Sequence, residues 1–328
     1  MTDRLEILPL DASQREAAAA LLAARQRRLR AARPELPASF EDRATCRPLV
    51  DAALDKPGGH GVIALRAGEP AGYLAGYPRT EEIWGRAAWS PMEGQALADG
   101  LDPEHVRDLF AAWSEHFVAS GHFRQYVHAS PDDPALTAAW VRTGFGQMQA
   151  YALRDVELAA TPPHGVSVRR ATPDDIDAVE PLLPLIAHAL MRSPAYAISL
   201  PETIPTYRDS WAEELAEAAA RHFVATQDGR ALAMASFYDA EPGPMVPDGA
   251  WYLAVAMTLP EARGRGLMRA LLAAGFAEAR DAGVTHCVTD WRTASLPTHR
   301  SWTALGFRPT HYRMHRHIDE RIAWAAPR

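Results

Sequence analysis

Pro260-Glu261-Ala262-Arg263-Gly264-Arg265-Gly266-Leu267-Met268 is the stretch on which the reading of this chain turns. Ahead of it runs Trp251 to Met257, apolar and aromatic, too short for a buried helix and suited to a strand. Behind it, Leu267, Ala270, Leu271 and Ala274 fall on one face of a helix reaching Arg280, and Gly283 sits where a left-handed stop is wanted. Strand, glycine turn and helix start together make an anion site. The first amides of a helix lack internal partners, and its dipole favours negative charge there. Gly264 and Gly266 let backbone approach a phosphate, while Arg263, Arg265 and Arg269 add positive charge. Alone, the turn reads more simply as a tight solvated loop. It ends in no Gly-Lys-Ser/Thr and holds no Gly-x-Gly-x-x-Gly, so the two familiar nucleotide loops do not fit.

Downstream, Thr285 to Thr289 reads as a strand, Pro297 to Leu305 as a short helix closed by Gly306-Phe307, and His311 to Ile318 as a further strand. With these in place, Val166 to Ile318 resembles a GCN5-related N-acetyltransferase (GNAT) domain. The residues that carry the resemblance are Thr258-Leu259-Pro260-Glu261, then Arg263-Gly264-Arg265-Gly266-Leu267-Met268, then Trp302-Thr303-Ala304-Leu305-Gly306-Phe307.

The resemblance implies acetyl-CoA as co-substrate. Its pyrophosphate would lie on the amides of Arg263, Gly264, Arg265, Gly266, Leu267 and Met268, and its pantetheine arm along Ala256, Met257 and Thr258. The Met257 amide is the candidate to polarise the thioester carbonyl, an effect worth about 3 kcal/mol for one good donor. The amine must arrive neutral, so a base should face it. Asp290 and Tyr252 are the catalytic candidates. Asp290 could attract or deprotonate the amine, or hold a structural bond with Arg292; His286 is a weaker candidate base. Alternation puts His286, Val288 and Asp290 on one strand face, Cys287 and Thr289 on the other.

Three residues depart from the family pattern. Met268 replaces a small residue at the end of the loop. Trp302 stands where a tyrosine often protonates the departing thiolate; it would pack on the cofactor or in the core. A thiol of pKa about 8.5 leaves tolerably without that acid. Ser295 stands where an asparagine is common, and could touch pantetheine or cap the following helix. His299, His311, His315 and His317 lack the spacing of a zinc site, so no metal is expected.

The chain of 328 residues has room for two ordinary domains. Its 48% hydrophobic and 23% charged residues are those of a globular protein, and its net charge of −7 argues against nucleic acid as a partner. Cys46 and Cys287 are too few for a disulfide framework. With neither a signal peptide at Met1-Thr2-Asp3-Arg4 nor an apolar run of membrane length, the expectation is a cytoplasmic protein without membrane contact.

A break at Ala159-Ala160-Thr161-Pro162-Pro163-His164-Gly165 separates two halves that repeat. Leu5 to Asp11 parallels Val166 to Thr172, each before a helix with Ser13 or Asp174 as cap. The hairpin Val62 to Tyr77, turning at Ala67-Gly68, parallels Phe223 to Tyr238, turning at Asp228-Gly229. Gly121, Trp140, Gly144 and Phe145 match Gly283, Trp302, Gly306 and Phe307 at a constant offset of 162.

The expected fold is therefore α/β: two tandem GNAT-like domains, each a mixed, mostly antiparallel twisted sheet flanked by helices. Residues 1–158 form one copy and 165–328 the other. Leu101-Asp102-Pro103-Glu104 occupies the place of the glycine turn in the first copy. Asp102 caps the helix start there and its charge repels a phosphate, so that copy is expected to have lost the cofactor. The implied activity is acetyl transfer from acetyl-CoA to a small-molecule or peptide amine by the second copy, in a monomer or homodimer. The alternatives are a larger acyl group, an aminoglycoside, polyamine or protein N-terminus as acceptor, or a CoA-binding sensor without turnover.

Overall fold

The computed structural model describes residues 5–81, 83–217 and 219–325. Strand β1 (Glu6–Pro9) leads into helices α1 (Arg15–Ala32) and α2 (Arg43–Leu54). Then come β2 (His60–Arg66), β3 (Glu69–Arg79), β4 (Ala87–Trp89), β5 (Gln95–Leu97), α3 (Val106–Ala119), β6 (Arg124–Ala129), α4 (Pro134–Arg142) and β7 (Gly146–Asp155). Nearly the same order recurs after the break. It runs β8 (Ser167–Arg170), α5 (Ile176–Val179), α6 (Leu185–Met191), α7 (Tyr207–Ala216), β9 (Arg221–Gln227), β10 (Arg230–Asp239), β11 (Trp251–Thr258), α8 (Leu267–Asp281), β12 (His286–Arg292), α9 (Leu296–Ala304) and β13 (Arg308–His317), then α10 (Ile322–Ala325). The constant offset in the sequence thus has its counterpart in element order, with β5 the addition in the first half.

Two compact units emerge, and each draws on both halves of the sequence. Unit 1 takes the described residues of 1–150, 243–245 and 310–328; unit 2 takes those of 151–242 and 246–309. In unit 1 the strand order is β1-β2-β3-β4-β6-β13, with β5 on β3. Its ladders are antiparallel except β4 with β6. The last strand of the sequence thus completes the first sheet, Tyr312 opposite Ala129 and Met314 opposite Val127. Helices α1 and α2 cover one face through Leu22, Val50, Ile63 and Tyr73. Helices α3 and α4 cover the other through Leu109, Trp113, Val127 and Trp140.

Unit 2 orders its strands β7-β12-β11-β10-β9-β8. The β8–β9, β9–β10 and β10–β11 ladders are antiparallel, and β11–β12 is parallel. Phe237 anchors the α8 face, edge-on to Phe223 and Phe276 with ring centroids 5.9 and 6.0 Å away. Gly275 lets α8 come this close, since a Cβ there would sit 2.5 Å from the Phe237 ring.

The helix caps expected at Ser13 and Asp174 are not the ones used. Ser13 Oγ donates to Asp11 Oδ1 at 2.6 Å, and α1 begins after Gln14 with no side-chain cap. At β8, Asp175 rather than Asp174 reaches back, accepting from the Thr172 amide at 2.8 Å while Arg169 holds its carboxylate. Both are competitions among adjacent polar residues that spacing alone does not decide.

Candidate active site

The site grows from a divergence of two strands in unit 2. β11 and β12 pair in parallel through Trp251–Cys287, Tyr252–Val288 and Leu253–Thr289. The pairing ends there, tied by Thr289 Oγ1 donating to the Leu253 carbonyl at 2.8 Å. Past that vertex β11 keeps only β10 as a partner, with a bulge at Ala254 between the Leu253–Phe237 and Val255–Ser236 pairs. Among the described residues, one edge of β11 from Ala254 to Thr258 therefore has no partner strand.

Which amides face that edge follows from the ladder. Leu259 N–H donates to Leu232 O at 2.9 Å across to β10. In an antiparallel ladder such bonds recur at every second residue. The Met257 amide is thus directed at Met234, its register partner, and those of Ala256 and Thr258 face outward. This corrects the expectation for Met257: its N–H belongs to the sheet, and its side chain is 3% exposed.

β11 runs into the glycine turn. Gly264 and Gly266 have φ of +75° and +80°, a left-handed backbone that glycine adopts without strain. A Cβ on either would meet nothing within 4 Å, so the space above the turn is open. The first intrahelical bond of α8 is Ala270 N–H to Gly266 O at 3.1 Å. The amides of Leu267, Met268 and Arg269 precede it, and among the described residues no side chain caps them. Arg263 and Arg265 are exposed at the turn; Arg265 donates to Gln227 Oε1 at 2.7 Å. Met268 is half-buried. Open amides at a positive helix end are suited to a phosphate group.

The matching turn in unit 1 is closed by its own side chains. Asp102 Oδ1 accepts from the Glu104 amide at 3.0 Å, and Glu104 is paired with Arg107 and Arg142. The gap beyond β4 and β6 is plugged by Gln95, which donates to the His128 carbonyl and accepts from Trp140 Nε1 at 3.2 Å. The buried Arg25 pins the same turn through the Met92 and Gln95 carbonyls, each at 2.5 Å. Burial holds His128 down to about 4.

On the face of β11 and β12 away from α8, Tyr252 Oη donates to Asp290 Oδ1 at 2.5 Å. The fold therefore joins the two catalytic candidates beside the vertex. His286 lies four residues before Asp290, at the far end of the β11–β12 pairing, bonded to Thr285 Oγ1 at 2.9 Å, outside this cluster. Ser295 stands at the N-cap position of α9, but its hydroxyl meets Thr298 Oγ1 at 2.7 Å instead of an amide.

Trp302 is 7% exposed and edge-on to Phe307 at 5.4 Å, as Trp140 is to Phe145 at 5.2 Å. It is a core residue in both repeats. Trp302→Phe should lower unfolding free energy by about 1–3 kcal/mol and leave CoA affinity within about twofold, read by denaturant melts and calorimetry.

Sequence reasoning missed a second tyrosine–carboxylate pair on this face. Tyr238 Oη donates to Glu214 Oε2 at 2.8 Å. Beside it the buried His222 bonds Ser236 Oγ at 2.8 Å and the Glu214 carbonyl at 3.0 Å. Neither Glu214 nor Tyr238 carries a local motif; their pairing exists only in three dimensions. Among the described residues no group of three or more His, Cys, Asp or Glu is arranged to hold a metal, and no helix is long and apolar enough to cross a membrane.

Comparison with known proteins gives a family match over part of the chain and a likeness of fold over most of it. The acetyltransferase (GNAT) family model matches residues 187–307, from α6 to the end of the α9 turn. No curated protein matches the chain. Among solved structures, a GCN5-related N-acetyltransferase from Sphaerobacter thermophilus is similar over 97% of this chain and 98% of its own, at 15% identity and a TM-score of 0.56. A GCN5-related glucosamine N-acetyltransferase region of a fungal multi-domain GH3 β-N-acetylglucosaminidase is similar over 96% of this chain and 38% of that one, at 13% identity and a TM-score of 0.53. A tandem GNAT protein from the clavulanic acid biosynthesis pathway covers 95% and 97% respectively, at 17% identity and a TM-score of 0.49. At these identities the structural likeness is one of fold. The family match covers residues 187–307, and over nearly the whole chain the likeness to a GCN5-related N-acetyltransferase is one of fold.

Proposed function

We propose that the second repeat, residues 165–328, transfers an acetyl group from acetyl-CoA to a primary amine by direct attack, and that the first, residues 1–158, is a structural copy without cofactor. The observation that carries this reading is the uncapped start of α8, opening on two left-handed glycines beside a strand edge with no partner. The capped turn at Asp102 supports the division of labour between the copies.

Acetyl-CoA supplies an activated acyl group and a thiol that can depart. The amides from Gly264 to Met268 hold its pyrophosphate, and the outward amides of Thr258 and Ala256 bind the arm leading toward the vertex. Of the two, Ala256 is nearer Leu253 and takes the polarising role first expected of Met257. Asp290, oriented by the Tyr252 hydroxyl, takes a proton from the incoming amine. The amine nitrogen forms a C–N bond as the C–S bond breaks, so no covalent acyl-enzyme is needed. Trp302 supplies no acid, and the thiolate leaves unaided.

The test is to mix the protein with acetyl-CoA and a panel of primary amines and follow free thiol. Release that depends on an amine supports the enzyme. CoA binding without release for any amine of the panel points instead to a sensor.

A further inference from the structure

Tyr238 and Tyr252 are register partners on β10 and β11, so their side chains leave the same face of the sheet side by side. Each hydroxyl donates to a carboxylate: Tyr252 to Asp290 on β12, Tyr238 to Glu214 on α7. One pair sits beside the vertex; the other lies toward β10. Glu214 is half-buried, and among the described residues its Oε1 takes no protein donor. Glu217 adds to the negative field here, and burial together with Glu214 pushes the Tyr238 hydroxyl above its ordinary range. Of the basic groups nearby, Arg170 is paired with Glu278, and His222 is buried with both ring nitrogens engaged. Among the described residues no cation is paired with Glu214, yet Tyr238 holds it in one orientation. A carboxylate fixed so, beside an amine-accepting centre, is a receptor for a second positive charge.

We infer that Glu214 is a specificity-determining residue that binds a second cationic group of the acceptor, so that the substrate class is a diamine or longer polycationic amine. The inference rests on the reading of unit 2 as an amine acetyltransferase. Tyr252 and Tyr238 are cross-strand neighbours about 5 Å apart, and each touches its carboxylate at 2.5 or 2.8 Å, so Asp290 and Glu214 are separated by on the order of 10 Å. An alkyl chain of about six carbons bridges that span.

The test is calorimetric binding of n-hexylamine and 1,6-diaminohexane to the full chain with CoA present, which needs no turnover. The diamine should bind at least about tenfold more tightly, and Glu214→Gln should erase the difference while leaving hexylamine within twofold. Tyr238→Phe, which keeps the charge but frees it, should weaken diamine binding about threefold. Equal affinity of the two amines for the wild type, or a diamine preference that survives Glu214→Gln, overturns the inference. Diamine preference without thiol release would leave the cation site standing and reject acetyl transfer alone.

Discussion

Gly266→Glu should abolish measurable acetyl-CoA binding, raising Kd more than about 100-fold, which is about 2.8 kcal/mol. Two effects add. A residue with a Cβ at φ +80° pays about 1 kcal/mol in backbone strain. The larger effect is electrostatic. The new carboxylate would lie in the open space over the α8 start and take the amides of Leu267 and Met268 for itself, as Asp102 does for Glu104 in the first repeat. Gly266→Asn separates the two, because asparagine tolerates a left-handed backbone and brings no charge. It should cost less than about tenfold in affinity. Calorimetry with CoA decides: wild-type affinity in Gly266→Glu would mean that the turn holds no phosphate. Glu104→Gly should leave CoA affinity and activity unchanged, since the Gln95 plug and the Asp102 cap remain.

What could be read from sequence was what is local. The strand, glycine turn and helix from Trp251 onward are spelled by periodicity and by residues whose backbone preferences are strong, and Gly264, Gly266 and Gly283 all take positive φ. The repeat was legible for the same reason, since turns at Gly68 and Gly229 and the Trp–Phe pairs recur at near-constant spacing. What stayed hidden depends on pairing. The place of Met257 in the strand suggests an oxyanion donor, but the direction of an amide is set by its partner strand. Opposite Met234 it turns inward. Gln95 was invisible because its role is to fill a gap made by β4 and β6, joined to Trp140 across 45 residues. Glu214 sits in a polar helix of little apolar periodicity, and only the return of β10 brings Tyr238 to it. That β13 completes the sheet of unit 1 is likewise a matter of topology, since nothing in Arg308 to His317 names its neighbour.

Asp290→Asn should lower kcat by about 10²–10³, the range expected for losing a positioned base, while CoA affinity stays within about twofold. Asparagine keeps the size of the side chain and an oxygen to accept from Tyr252, so the 2.5 Å contact can persist without the charge. Two roles for Asp290 then give different results. A structural carboxylate would, when replaced, lower thermal stability and activity together, with the pH profile unchanged in shape. A base would leave the melting temperature nearly fixed and change the profile. Activity of the variant should keep rising toward the pKa of the free amine, because only amine already neutral in solution can attack. Tyr252→Phe should fall between, about tenfold down in kcat, since the carboxylate stays charged but loses the donor that aims it. Full activity of Asp290→Asn across the pH range would remove the base from this site and return the proton to water.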